Sequence, residues 1–171
     1  MIIDLSDILK DYGGRMNVSA SIEMDDTDFL GESFKFQKPL DIEGTIVNNT
    51  KSLELSAKAV GEMQVHCARC SKPFIVPVKF RIHEILVKED TEAADDETII
   101  LSDEKLDISD IVMNSFLMSV PGKYLCKEDC KGLCSKCGAD LNDGDCGCDN
   151  DDIDPRWADL QKIMNNMTDT K

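Results

Sequence analysis

The sequence predicts an α+β fold: a mainly antiparallel sheet or partial barrel, a few helices and a small cysteine-rich module. Three observations lead to this prediction. Apolar and polar residues alternate over several stretches between residues 15 and 88, which is typical of strands with one buried face. A segment near residue 110 repeats its apolar residues at helical spacing instead. Six of the eight cysteines lie within residues 126–148.

The first part of the chain predicts a short amphipathic segment followed by strands. Residues 1–14 form the amphipathic segment, which ends at two glycines. Residues 15–24 alternate as a strand, with one apolar face made of Met16, Val18, Ala20, Ile22 and Met24. Residues 34–50 predict further strand structure, which is interrupted at Pro39 and closed by a turn at Asn48 and Asn49.

The clearest alternation predicts a β-hairpin. Over residues 53–65, one face carries Leu53, Leu55, Ala57, Ala59, Met63 and Val65. The second strand begins after a short polar break, and one of its faces carries Phe74, Val76, Val78, Phe80 and Ile82. Two successive strands of this length pair most simply as a hairpin, so we expect Cys67 and Cys70 at its tip.

The rest of the chain predicts an acidic loop and two helices. Residues 88–98 contain six acids and one base, which is typical of a surface loop. A helix is expected from Asp107, its candidate cap, to Pro121, and it should lie on the sheet. A second helix is expected from Asp154 onwards. The predicted organisation is an α+β domain (1–125), a cysteine-rich module (126–150) and a C-terminal helix that packs back (151–171).

Composition narrows the classes of function. The chain has 171 residues and a formal charge of -15, which disfavours broad electrostatic binding to nucleic acid or to anionic membranes. It contains no apolar run of transmembrane length and no apparent secretory signal, so we expect a cytoplasmic protein without membrane association. In that compartment thiols stay reduced, and clustered cysteines favour metal binding over disulfides.

The cysteines predict two structural zinc sites. Two C-x-x-C pairs, Cys67 with Cys70 and Cys134 with Cys137, have the spacing that directs two thiolates at one tetrahedral ion. The second pair precedes a C-x-C pair, as in a zinc ribbon, which assigns one site to Cys134, Cys137, Cys146 and Cys148. The remaining cysteines would form the other site, by bringing the hairpin tip to the segment after the helix: Cys67, Cys70, Cys126 and Cys130.

Both the division of the cysteines between two sites and the choice of zinc have alternatives. Cys130 could replace Cys146 or Cys148, because a C-x-C pair is a strained chelate. A redox C-x-x-C pair would be expected at a helix N-terminus, and an iron–sulfur cluster also uses four thiolates. Catalytic zinc usually includes histidine or carboxylate ligands and an open position. We find no catalytic triad, phosphate-binding loop or paired carboxylates, so we expect no enzymatic activity and no small-molecule substrate.

Basic residues near the first C-x-x-C pair predict a contact surface. Arg69, Lys72, Lys79 and Arg81 lie in a stretch that carries no acid. Such local basic charge suits a contact with RNA or with a protein, although lysines beside thiolates also offset the negative charge of a metal site.

The order of these motifs resembles the YceD family, the large ribosomal RNA subunit accumulation proteins of bacteria and plastids. The resemblance rests on "CARCSKPF", on "FLMSVPGKYLC", on "CKGLCSKCGADLN" followed by "CGC", and on "DPRWADLQKI". It implies a non-catalytic factor that supports accumulation of large-subunit (23S) ribosomal RNA, through ribosome assembly or RNA processing. Its partners would be ribosomal RNA or ribosomal proteins of the large subunit. The alternative from another class is a thiol-redox or zinc-responsive regulatory protein.

Overall fold

The computed structural model describes residues 1–88 and 98–148, which belong to two compact units, Met1–Glu128 and a unit that begins at Asp129. All regular elements among the described residues lie in the first unit. They are β1 (Ile2–Asp4), β2 (Arg15–Ile22), β3 (Thr27–Phe29), β4 (Glu32–Phe36), β5 (Leu40–Asn48), β6 (Leu53–His66), β7 (Pro73–Lys88), β8 (Ile99–Leu101), β9 (Lys105–Asp107) and α1 (Ser109–Ser119). None of the described helical structure is long and apolar enough to cross a membrane.

The main sheet is organised around β6. Along one edge, β6 pairs with β7 over its whole length, from Leu53 opposite Leu86 to His66 opposite Pro73. Along the other edge it pairs first with β5 and, nearer the tip, with β4, while β2 pairs with β5. These pairings are antiparallel, and only the short β8 joins β7 in parallel among the described strands. The structure thus confirms the mainly antiparallel sheet, and no pairing among the described strands closes it into a ring.

The alternation in sequence defines the buried face of the sheet. The predicted apolar face of β6 is buried along its length, and in β7 Val78, Phe80 and Ile82 are buried as well. Helix α1 covers this face through Phe116, whose ring centroid lies 5.5 Å from that of Phe34 and 6.0 Å from that of Phe80. The predicted hairpin and the predicted packing of the helix on the sheet are therefore both confirmed.

The start of α1 differs in detail from the expectation. Ile108, not Asp107, occupies the N-cap position, and its side chain makes no capping hydrogen bond. The carboxylate of Asp107 nevertheless accepts hydrogen bonds from the backbone N–H and the hydroxyl of Ser109, at 3.0 and 2.8 Å. Asp107 therefore still satisfies one free donor of the first turn, from one position further out.

Other expectations concern the number of helices and regions beyond the described residues. The described chain contains one α-helix where a few are expected, and it adds an unpredicted hairpin of β3 and β4. Most of the acidic loop (residues 89–97) and the whole C-terminal helix segment (151–171) lie outside the described residues.

Candidate metal centres

Two groups of four cysteines could each hold a metal ion. The first group is Cys67, Cys70, Cys126 and Cys130, and the second is Cys134, Cys137, Cys146 and Cys148. Within each group, all sulfur atoms lie within 4.8 Å of one another. Three members of the first group lie in the unit Met1–Glu128, and Cys130 follows Cys126 by four residues. The structure thus collects the cysteines in the partition that the sequence favours.

The first C-x-x-C pair forms a tight loop at the tip of the β6–β7 hairpin. The backbone N–H of Ser71 donates to the carbonyl of Cys67 at 2.8 Å, and the N–H of Cys67 donates to the carbonyl of Lys72 at 3.0 Å. The N–H of Ala68 donates to the carbonyl of Tyr124 at 2.8 Å. Because Tyr124 directly precedes the stretch that contains Cys126, this bond brings that stretch to the tip.

The second C-x-x-C pair forms the same loop, but among the described residues no β-strand flanks it. The N–H of Gly138 donates to the carbonyl of Cys134 at 2.8 Å, and the N–H of Cys134 donates to the carbonyl of Ala139 at 2.8 Å. A single bridge between Leu133 and Asp140 flanks the loop. The two loops therefore share one hydrogen-bond pattern at equivalent positions; we call them the hairpin knuckle (67–72) and the module knuckle (134–139).

The sulfur positions fit a tetrahedral ion with thiolate ligands. Zinc–sulfur bonds of about 2.3 Å in a tetrahedron place neighbouring sulfurs about 3.8 Å apart. The sulfurs of Cys70 and Cys126 are 3.7 Å apart, which matches this separation and is far longer than a disulfide bond. None of the eight cysteines, all of which lie among the described residues, forms a disulfide bond. The donor set in each group, four sulfurs, is one of those found in structural zinc sites.

The two groups differ in how far they are shielded from solvent. In the first group Cys67, Cys70 and Cys130 are buried and Cys126 is exposed. In the second group only Cys134 is buried, Cys146 and Cys148 are half-buried, and Cys137 is exposed. An ion held by the second group would therefore be more accessible to chelators and thiol reagents than an ion held by the first.

Each knuckle favours a thiolate at its first cysteine. Burial raises the pKa of Cys67, but backbone hydrogen bonds from Cys126, Cys70 and Arg69 outweigh it and lower the pKa to about 6. In the module knuckle, backbone hydrogen bonds from Cys137 and Lys136 likewise lower the pKa of Cys134 to about 6. In both loops the donors include the residues two and three positions after the first cysteine, and Cys67 accepts in addition from the backbone of Cys126.

The pKa values of the two cysteines in the C-x-C pair are raised, in contrast to those of Cys67 and Cys134. Hydrogen bonds to the side chains of Cys137 and Cys146 raise the pKa of Cys148 to about 12. The pKa of Cys146 is also raised: the backbone hydrogen bond from Cys148 lowers it, but the side-chain hydrogen bond with Cys134 and burial raise it by more. Without metal, protons are thus shared among the sulfurs of this group. Since a metal binds thiolates, its binding must release protons.

Asn142 is a supporting residue that the cysteine pattern does not reveal. Its side-chain Nδ2 donates to the sulfur of Cys130 at 3.4 Å, and its Oδ1 accepts from the backbone N–H of Lys131 at 3.0 Å. The Asn142 backbone N–H donates to the carboxylate of Asp140 at 2.8 Å. Asn142 thus orients Cys130, although it lies between Cys137 and Cys146 in sequence. Only its place in the "GADLN" stretch marks it, and spacing alone assigns it no role.

The four predicted contact residues do not form one cluster. Arg69 and Lys72 lie at the hairpin tip, where the Arg69 guanidinium donates to the backbone carbonyl of Glu128 at 3.3 Å. Lys79 and Arg81 lie on the exposed face of β7, opposite Val60 and Lys58. Lys79 follows Lys72 by seven positions of extended chain, which corresponds to about 23 Å. The structure therefore brings Lys79 and Arg81 to Lys58, a residue not singled out by the sequence.

Comparisons with known proteins find bacterial relatives of this chain. Over 132 residues the chain is 31% identical to "Uncharacterized protein Rv2926c" of Mycobacterium tuberculosis (strain ATCC 25618 / H37Rv), a match that covers 75% of this chain and 59% of the relative. It is 26% identical over 155 residues to "Uncharacterized protein YlbN" of Bacillus subtilis (strain 168), covering 84% and 88%. The chain thus spans somewhat over half the length of its mycobacterial relatives. No solved structure is significantly similar to it.

A family model provides the assignment. The model described as "Large ribosomal RNA subunit accumulation protein YceD" matches residues 55–164. That range is well over half of the chain, and it includes most of β6, all of β7 and α1, and every cysteine. The sequence resemblance is therefore confirmed, and the chain belongs to the YceD family.

Proposed function

We propose that this protein is a non-catalytic factor that supports the accumulation of large-subunit ribosomal RNA. The observation that carries the proposal is the family match over residues 55–164, whose description names this RNA. The match spans the β6–β7 hairpin and both cysteine groups, so the parts of the chain with the most distinctive chemistry belong to the family region. The proposed partners are ribosomal RNA or ribosomal proteins of the large subunit.

In this proposal the cysteine groups hold two structural zinc ions. Each group offers four sulfurs, which would fill a tetrahedral coordination sphere and leave no position for a substrate or a reactive water. The first group would fix the hairpin tip to the stretch that follows Tyr124, and the second would fold the loops of residues 134–148. The ions would thereby shape surfaces for a partner, which is consistent with a binding protein rather than an enzyme.

The proposal is tested by depleting the protein in its host and measuring ribosomal RNA. We expect the ratio of 23S to 16S RNA to fall and the free large-subunit peak in a sucrose gradient to shrink, with recovery when the wild-type gene is restored. A gene that carries Cys67→Ser should fail to restore the ratio. The matched control is Ser71→Ala, which changes an exposed side chain at the same tip. An unchanged 23S to 16S ratio after depletion contradicts the proposal.

A regulatory role is the alternative, and the exposure of Cys137 is the observation that favours it. A thiol-redox or zinc-responsive protein would alter its targets when this group loses metal or is oxidised. Depletion would then leave ribosomal RNA unchanged under ordinary growth, and an effect would emerge only under oxidant or zinc limitation. Parallel subunit profiles with and without these stresses separate the two functions.

A further inference from the structure

The exposed face of β5, β6 and β7 contains a groove of about 900 Å³. Three cations line it: Lys58 on β6, and Lys79 and Arg81 on β7. Asp41 and Glu43 on β5 line the opposite side. In a chain with a net charge of -15, this is a local excess of positive charge confined to one side of a cavity.

Two of these cations are placed directly against each other. Lys58 and Arg81 are cross-strand partners in the β6–β7 register, and Lys79 is the next residue on the same face of β7. Like charges opposite each other destabilise a sheet unless an anion lies between them. Glu43 is the partner of Lys58 on the β5 side, yet none of the three cations forms an ion pair within the described residues. Their charge is therefore available to a ligand.

The cations also lie beside an open edge. β7 pairs with β8 only at residues 86–88, so next to Lys79 and Arg81 no described strand borders the sheet. Alternate residues of a strand are about 6.6 Å apart, a separation that suits successive phosphates of an extended polynucleotide. On the other side of the groove Asp41 accepts a hydrogen bond from the Ser21 hydroxyl at 3.0 Å. The carboxylates there would repel an anion and confine it to the β6–β7 side.

We infer that Lys58, Lys79 and Arg81 form a binding strip for the phosphate backbone of RNA. The inference rests on the proposed function, and it replaces the hairpin-tip residues Arg69 and Lys72 by Lys58 in the contact. No phenylalanine, tyrosine or tryptophan lines the described groove, and its one aromatic ring is the imidazole of His83, whose Nδ1 lies 3.2 Å from the Ser56 hydroxyl. Contacts through phosphates alone carry no sequence information, so the strip should bind RNA without strong sequence preference.

The test measures binding of the zinc-loaded full-length protein to a fluorescein-labelled, mixed-sequence, single-stranded RNA of 20 nucleotides. Fluorescence anisotropy at several salt concentrations gives the slope of log affinity against log salt. In the variant Lys58→Gln/Lys79→Gln/Arg81→Gln, the loss of three phosphate contacts should reduce that slope by about 2. The matched control is Lys10→Gln/Lys51→Gln/Lys105→Gln, which removes the same charge outside the groove and should change the slope much less.

A second variant predicts the opposite sign. Asp41→Asn/Glu43→Gln removes the repelling carboxylates and should bind the same RNA more tightly than wild type. If wild type does not bind the RNA, if both triple variants weaken binding equally, or if a polyglutamate peptide competes as well as unlabelled RNA, the inference is wrong. It is also wrong if the groove variant aggregates while binding RNA normally, because the cations would then protect the open edge of β7.

The two proposals fail in different experiments. If depletion lowers 23S RNA but the groove variant binds RNA like wild type and restores the 23S to 16S ratio, the strip is wrong and the function stands. If depletion leaves 23S RNA unchanged but the groove variant loses RNA binding, the strip stands and the proposed function is wrong.

Discussion

The hairpin knuckle and the module knuckle have the same backbone hydrogen bonds but different surroundings. In each, the N–H of the fifth residue donates to the carbonyl of the first cysteine, and the N–H of that cysteine donates to the carbonyl of the sixth. The hairpin knuckle ends the two longest strands of the sheet, whereas the module knuckle is flanked by one isolated bridge. The comparison shows that both C-x-x-C sequences form the same loop and supply two backbone hydrogen bonds that lower the pKa of the first thiol, while the flanking chain sets its burial.

The hairpin knuckle is also linked to the hydrophobic core. The Tyr124 carbonyl accepts from Ala68, and the Tyr124 ring lies 6.2 Å from Phe34, which itself contacts Phe116 of α1. Loss of an ion here would disturb packing within the sheet. The described neighbours of the module knuckle are mostly exposed loops, so the consequences of losing its ion should remain local.

The largest expected effect is that of Cys67→Ser. This change removes a buried sulfur at the end of both long strands, and losing a structural metal is among the substitutions that cost more than about 4 kcal/mol. We expect the zinc content of the purified protein to fall from two equivalents to one and thermal unfolding to shift strongly downward. Elemental analysis and calorimetry measure these quantities. Two retained equivalents with an unchanged transition would exclude a metal role for this group.

Cys137→Ser is the matched change in the module knuckle. It should also reduce zinc content to one equivalent, but the free energy of unfolding of the sheet should change by less than about 1 kcal/mol, as for most exposed positions. Far-ultraviolet circular dichroism measures this change, because most of the described secondary structure belongs to the sheet. If this variant destabilises the sheet as much as Cys67→Ser does, the difference between the two knuckles is not one of stability.

Metal removal should separate the groups kinetically. Because Cys137 is exposed and Cys67 is buried, a chelator such as a pyridylazo dye should withdraw zinc in two phases, the faster from the second group. Brief alkylation followed by mass spectrometry should label Cys137 before Cys67. Apo protein, in which metal protects neither group, provides the control. A single phase with simultaneous labelling would mean that the difference in burial does not govern access.

Local patterns in the sequence account for much of this structure, and long-range register accounts for the rest. Alternation predicts β6 and β7, and the C-x-x-C spacing predicts both knuckles, because each depends on neighbouring residues. The sequence alone does not mark Lys58 as a contact residue, because its neighbour Arg81 is 23 residues away. Only the register of the hairpin brings the two together. The β3–β4 hairpin turns on Leu30 and Gly31, and leucine at positive φ is not a usual turn signal.

Asn142 lies between Cys137 and Cys146 of the second group, yet its side chain contacts Cys130 of the first. A substitution there tests which of the two groups depends on this loop. Asn142→Ala removes the hydrogen bond to the Cys130 sulfur, and removal of such a supporting partner typically lowers metal affinity about 10- to 100-fold. We expect that loss at the first group, measured by competition with a chelator of known affinity. Asn114→Ala, which removes an exposed amide on α1, is the control. A loss confined to the second group would show that Asn142 acts mainly through Asp140.

The smallest effect concerns the residue after each C-x-x-C pair. Ser71 and Gly138 occupy equivalent positions with φ of 57° and 74°, a left-handed conformation that costs a residue other than glycine about 1–2 kcal/mol. Since glycine also gains entropy in the unfolded chain, Ser71→Gly should stabilise the hairpin knuckle by less than about 1 kcal/mol. Gly138→Ser should weaken the module knuckle by about 1 kcal/mol through its backbone alone, because a Cβ there meets no atom within 4 Å. Chemical denaturation and zinc competition measure the two changes, and shifts of the same sign would mean that the two loops are not equivalent despite their shared hydrogen bonds.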